Sequence, residues 1–122
     1  MSNSYSKKIA LYVKAELELA TNAGKSRNVE LEFQHLENAH VLGQESTYWH
    51  VKVHVLMLLW AIRNLKLKEI IGQLFRIVGA STKTMFGLVP QGNTGGTNVS
   101  PFKVMPIKSE HQLIIKNAKS NV

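Results

Sequence analysis

Phe33-Gln34-His35-Leu36-Glu37-Asn38-Ala39-His40-Val41-Leu42-Gly43-Gln44-Glu45-Ser46-Thr47-Tyr48-Trp49-His50-Val51-Lys52-Val53-His54 contains four of the chain's five histidines, and its reading decides the fold. Glu37 and His40 are three residues apart, and His50 and His54 four apart, the two spacings that place side chains on one face of a helix. Gly43 is a natural helix stop, and Ser46 and Thr47 behind it are candidate N-caps. A chain that reverses there has His40 about one turn before the bend and His50 about one turn after it. Glu37, His40, His50 and His54 are then expected to converge between two antiparallel helices.

The helical pattern extends on both sides. Ile9, Leu11, Tyr12, Val13, Leu17 and Leu19, with alanines between them, predict a first helix ending near Asn22-Ala23-Gly24, with Gly24 in the left-handed position beyond the helix end. Ser26 or Asn28 can cap a second helix, in which Val29, Phe33, Leu36 and Ala39 repeat at steps of three and four. The third, Thr47 to Arg63, is apolar almost all round, as suits the middle of a bundle. A fourth follows from Leu67 to Val78, with Ile70, Ile71, Leu74, Phe75, Ile77 and Val78 expected to face inward. The expected architecture is all-α: a single domain over 1–122 with antiparallel helices near 6–23, 28–43, 47–63 and 67–79. Ala20 to Ala39 and Trp60 to Val78 echo one another at a spacing of about 40 residues, the period of stacked αα-hairpins in helical-repeat proteins.

Beyond Gly79 the pattern changes. Glycine and proline interrupt residues 80–110, which read as an extended, non-helical, glycine- and proline-rich tail packed on the bundle. Met85 to Val89 and Phe102 to Ile107 are its apolar anchors, and the last ten residues are expected to fray. Between the anchors, Asn93, Thr94, Gly95 and Gly96 form a loop that could present backbone N–H groups to an anion or ligand. The competing reading is a tight turn that needs glycine for positive φ.

Composition narrows the chemistry. The chain has no cysteine, so disulfides, thiolate metal sites and cysteine nucleophiles are excluded. No aspartate is present and no nucleophile motif stands out, which argues against an enzyme. No secretory signal is legible at the start, and the most apolar run, Val53 to Ile62, is far short of the ~20 residues of a membrane span. The expectation is a cytoplasmic protein without membrane contact. The net charge of +7 lies wholly in the second half: residues 1–60 balance, and from 61 onward nine basic residues stand against Glu69 and Glu110. Scattered lysines without interleaved aromatics disfavour nucleic acid and leave an acidic protein partner or a homodimer.

Three imidazoles and a carboxylate are ligands that zinc accepts, so Glu37, His40, His50 and His54 form the candidate metal set. Zinc is the first expectation; nickel, copper and iron share the donor type. A carboxylate-bridged di-iron site needs two E-x-x-H helices and further glutamates, and one chain supplies a single copy. The alternative is a helical interaction module in which His40 caps its helix, His54 is a satisfied core residue, Glu37 pairs with a cation and an acidic partner meets the basic half.

His35-Leu36-Glu37, Ala39-His40, Leu42-Gly43-Gln44, His50 to His54 with Met57-Leu58, Gly72-Gln73, Gly92-Asn93-Thr94-Gly95-Gly96 and Met105-Pro106-Ile107 resemble a family of small bacterial proteins known as a domain of unknown function. The likeness runs from about Lys7 to Ile107. Where that family has proline on both sides of the Met-Pro-Ile core, this chain has Val104 and Lys108. The resemblance implies an all-helical fold and metal-resistance surroundings in some bacteria, and it brings no established activity.

Overall fold

Two helical hairpins closed by matching turns organise the molecule. The computed structural model describes residues 3–83 and 89–120. Helix α1 spans Asn3–Lys25, α2 Val29–Gly43, α3 Thr47–Arg63, α4 Leu67–Lys83 and α5 Ser109–Lys119. Among the described residues there is no strand. Helix α1 packs chiefly on α2 and α3 on α4, while α2 and α3 meet to join the pairs.

The two turns share one geometry. Asn28 N–H donates to Ala23 O and Arg27 N–H to Gly24 O, and at the end of α3 Lys66 N–H donates to Ala61 O and Leu65 N–H to Ile62 O. These are the paired bonds of a Schellman end, and Arg27 (φ 60°) and Leu65 (φ 54°) take its left-handed position. The sequence echo at about 40 residues is thus matched by the same backbone turn. Gly24, expected in the left-handed position, instead lies inside α1. A Cβ there would come within 3.1 Å of the Glu32 carboxylate, so the glycine makes room for a side chain and frees no backbone angle.

The N-caps lie where short polar side chains precede the apolar runs. Asn28 Oδ1 accepts from Leu31 N–H, and Ser46 Oγ from Trp49 N–H. Ile9, Val13, Leu36, Ala39, Leu42, Val53, Met57 and Ala61 form the buried centre. Two indoles tie helices together: Trp49 Nε1–H donates to Ser6 O and Trp60 Nε1–H to Val29 O. Tyr5 Oη–H donates to Leu42 O, and burial, then the charge of Glu45, pushes its phenol pKa upward. Arg63 at the end of α3 pairs with the buried Glu32 carboxylate near the start of α2 at 2.9 Å.

Three expectations need correction. Within the stretch expected to fray, Ser109–Lys119 is helical and packs on α1 and α2. His111, Ile115 and Ala118 repeat at steps of four and three and bury one stripe of it. Secondly, α3 is not enclosed, since Val55, Leu59 and Ile62 are exposed. Thirdly, Ile71, Leu74, Phe75 and Val78 of α4, expected inside, are exposed while Ile70 and Ile77 are half-buried. Among the helices α4 touches only α3, so one flank of its wide apolar face has no helix against it. Of the tail's anchors, Ile107 packs on the core and Phe102 and Val104 are exposed, while Met85 to Leu88 lie outside the described residues.

Two measurements probe these turns and the docking of α5. Leu65 is 87% exposed, so Leu65→Gly removes left-handed strain without removing packing. It is expected to stabilise by about 0.5–1 kcal/mol and raise the melting temperature by a few degrees. The pKa of His111 is lowered by burial first and then by Lys108, against the smaller pull of Glu110 and Glu16. The folded state therefore disfavours its proton. The neutral residue's contribution is fully present above the ordinary value of 6.5 and is lost as the pH falls below it toward the depressed folded value. The drop in melting temperature between about pH 7.5 and about pH 5.5 should be smaller in His111→Asn than in the parent.

Candidate metal centre

The turn Gln44-Glu45-Ser46 reverses the chain so that the last turn of α2 faces the first two turns of α3. His40 projects from the first, and His50 and His54, four apart, from one face of the second. The imidazoles are 2%, 6% and 3% exposed, and the ligand atoms of all three lie within 4.8 Å of one another. His40 Nε2 is 3.0 Å from His54 Nε2 and 3.0 Å from His50 Nε2. The three rings pack edge to face or tilted, with centroids 4.6–4.9 Å apart.

The surrounding bonds dictate which nitrogen of two rings carries hydrogen. His40 Nδ1 is 2.6 Å from Asn93 O, a carbonyl that can only accept, so Nδ1 holds the proton and Nε2 presents its lone pair. His54 Nδ1 is 2.6 Å from Gln73 Oε1. Gln73 Nε2 donates to Glu69 Oε2 at 2.7 Å and to Gly95 O at 2.9 Å, so the amide oxygen must be the atom facing His54. His54 Nε2 therefore also presents a lone pair. Two lone pairs at 3.0 Å repel unless a cation or proton lies between them. A proton is disfavoured, because burial and then the neighbouring imidazoles His54 and His50 drive the His40 pKa well below its ordinary value.

The loop after Pro90 supplies the tie to His40. Gly95 (φ +89°) lies against the His40 ring, where a Cβ would approach its atoms to 2.6–2.9 Å, so both space and backbone angle require glycine. Asn93 Oδ1 accepts from Gly95 N–H, and Asn93 Nδ2 donates to Ser100 O and Lys103 O. Gln44 clamps the loop's start, donating to Pro90 O and accepting from Gly92 N–H. The amides of Asn93, Gly95 and Thr97 are all committed within the protein, to Pro90 O, Asn93 Oδ1 and the Glu69 carboxylate.

Glu37 stands apart from the other three candidates. It is half-buried, with the Thr94 side chain close enough to lower its pKa, and it does not belong to the histidine group. A step of three residues leaves it about 60° around the α2 axis from His40, enough to aim one side chain at α3 and the other at the loop. Burial raises its pKa most, opposed by the Thr94 hydroxyl, with Glu69 raising and Lys108 lowering it further. His35, the remaining histidine of α2, points the other way and meets Glu16 of α1 at 3.0 Å.

Sequence reasoning missed Gln73 as the group that orients His54. The signal was present: Ile70, Gln73 and Ile77 follow one helical stripe, and a glutamine on an inward stripe needs a polar partner. The residue is 0% exposed. Every buried side-chain nitrogen and oxygen among the described residues has a polar atom within hydrogen-bond distance, and the facing Nε2 atoms of His40 and His54 are the pair that no hydrogen joins.

The histidines open onto a cavity of about 350 Å³, lined also by Arg76, Phe75 and Phe102, and no carboxylate is among its described lining residues. No described helix is long and apolar enough to cross a membrane. Neither a curated protein nor a solved structure matches the chain. A family model does, over residues 7–115, a span holding α2, α3, α4 and all three histidines, and the chain belongs to that family, described as protein of unknown function (DUF3703).

Proposed function

We propose that this protein binds one divalent metal ion through Nε2 of His40, His50 and His54, as a metal-handling protein rather than a hydrolase. The observation that carries this reading is the pair of imidazole lone pairs facing one another at 3.0 Å, each fixed by a bond from the far side of its ring. Metal-binding histidines characteristically donate their other N–H to a carbonyl or carboxylate in this way. Ligand nitrogens about 2.0–2.1 Å from zinc in a tetrahedral set are about 3.3 Å apart, so small ring movements would accommodate the ion. Neutral imidazoles without thiolate or carboxylate suit zinc, and nickel or copper by the same donors. Glu37 is not a ligand in this reading, and among the described lining residues no carboxylate stands ready as a general base for metal-assisted hydrolysis.

The exposed apolar face of α3 and α4 favours a second, compatible reading, that the protein also engages another macromolecule. Val55, Leu59 and Ile62 of α3 and Leu67, Ile71, Leu74 and Val78 of the packed helix α4 are all exposed, and exposed apolar surface of this extent is what interaction sites carry.

Purified without a histidine tag, the parent should contain or take up about one equivalent of zinc by elemental mass spectrometry, and His50→Ala/His54→Ala none. A parent that stays metal-free after incubation with zinc, nickel, copper and iron would sink the proposal. Gln73→Leu, which removes the acceptor for His54 Nδ1–H, should weaken zinc affinity by about 10–100-fold in a competition titration while leaving the stoichiometry intact. Zinc at about 100 times its Kd should stabilise the parent by about 2.7 kcal/mol against urea, and the double variant not at all.

A further inference from the structure

The charge balance of the cavity says what else it would hold. His40, His50 and His54 contribute no negative charge when they bind through neutral nitrogens, so a divalent ion keeps its full charge in a buried place. Arg76 lines the same cavity. Its guanidinium is half-buried and donates to two backbone carbonyls, Gly72 O at 3.3 Å and Val99 O at 3.0 Å. Those bonds hold it in place, use only part of its five-donor fork and bring no carboxylate against its charge. Among the described residues no carboxylate lies within ion-pair distance of it. Glu69 acts on it from further off, its oxygens being taken by Gln73 Nε2 and by the Thr97 amide and hydroxyl.

A divalent ion and an arginine around one cavity with no acid among its described lining residues make a concentrated positive field that such a site must neutralise. Three protein ligands also leave a fourth tetrahedral position for an outside group. The cavity, at about 350 Å³, holds far more than one water, and its other walls include Phe75, Val78, Pro90 and Phe102. Resting on the metal reading above, we infer that this cavity binds a small oxyanion-bearing ligand, with one oxygen on the metal ion held by the three histidines and its charge met by Arg76. The apolar walls favour a carboxylate on a small apolar body over a bare inorganic oxyanion.

The test uses the full chain loaded with cobalt(II) as the only metal, whose visible absorption reports on its ligands. Acetate, benzoate and phosphate are titrated separately, with acetamide as the neutral control. The expected result is a saturable change with the carboxylates, tightest for benzoate, and none with acetamide. Arg76→Gln should bind cobalt with unchanged stoichiometry yet require at least about tenfold more benzoate, and Arg76→Lys, which keeps the charge, should lie between it and the parent. Saturation by phosphate at lower concentration than benzoate would assign the site to an inorganic oxyanion and overturn the organic-carboxylate preference. A cobalt spectrum indifferent to all the anions, or equal anion affinity in parent and Arg76→Gln, overturns the inference and leaves metal binding intact. A parent that shows no cobalt bands at all removes the metal reading and this inference together. Should Arg76→Gln fail to fold, the parent's contrast between acetate and acetamide and the Arg76→Lys titration decide.

Discussion

The bond from His40 Nδ1 to the carbonyl of Asn93 is the contact on which the rest of the site depends. It joins the end of α2 to a loop far along the chain, and it fixes which nitrogen of His40 points toward α3. Leaving either group buried without a partner would cost about 1–3 kcal/mol, so the loop and the helix end stabilise one another. Gly95 makes the approach possible, since any side chain there would run into the ring. Asn93 then braces the loop through its own amide to Ser100 and Lys103. A loop without regular secondary structure thus becomes a fixed wall of a buried centre.

Polarity is the other property of that centre. Gln44, Gln73, Asn93 and three histidines lie buried together, and the hydrophobic core continues directly around them through Leu36, Ala39, Val53 and Met57. Such a network is unfavourable unless its members are satisfied: the buried amides have their counterparts, while the facing Nε2 lone pairs of His40 and His54 do not satisfy one another. The arrangement also polarises the chemistry. Acceptors behind His40 and His54 increase the electron density on the nitrogens that face inward, while the carboxylates of Glu37 and Glu69 are held outside the cavity by Thr94 and by Gln73 and Thr97. Three buried imidazole nitrogens beside Arg76 form a group that could hold a metal ion, of a kind distinct from oxygen-rich cation sites.

The outer shape follows from a different constraint. Helix α4 meets only α3 among the helices, while α5 covers α1 and α2 on the opposite hairpin. Both α3 and α4 are more apolar than one interface can absorb, so Val55, Leu59, Ile71 and Leu74 reach the surface. The buried side of α4 is reserved for Gln73 and Ala80, the residues that meet the histidine centre and its cavity.

Local pattern by itself determined the first four helices, the caps of α2 and α3 and the meeting of three histidines. Periodicity of three and four, Asn28 and Ser46 before apolar runs, and a short turn after Gly43 all act within a few residues of one another, so they are legible along the chain. The convergence of His40 with His50 and His54 followed from the same short-range geometry, because an antiparallel hairpin fixes its register close to the turn. Tertiary structure alone decided the rest. Glu37 did not join the histidines, and its carboxyl is influenced instead by Thr94, a residue distant in sequence. Gln73, Asn93 and Arg76 joined the centre from α4 and the tail, whose placement depends on packing rather than on spacing. The fifth helix likewise forms where a short stripe, His111, Ile115 and Ala118, finds a surface on α1 and α2, and eleven residues gain more from that docking than from intrinsic propensity.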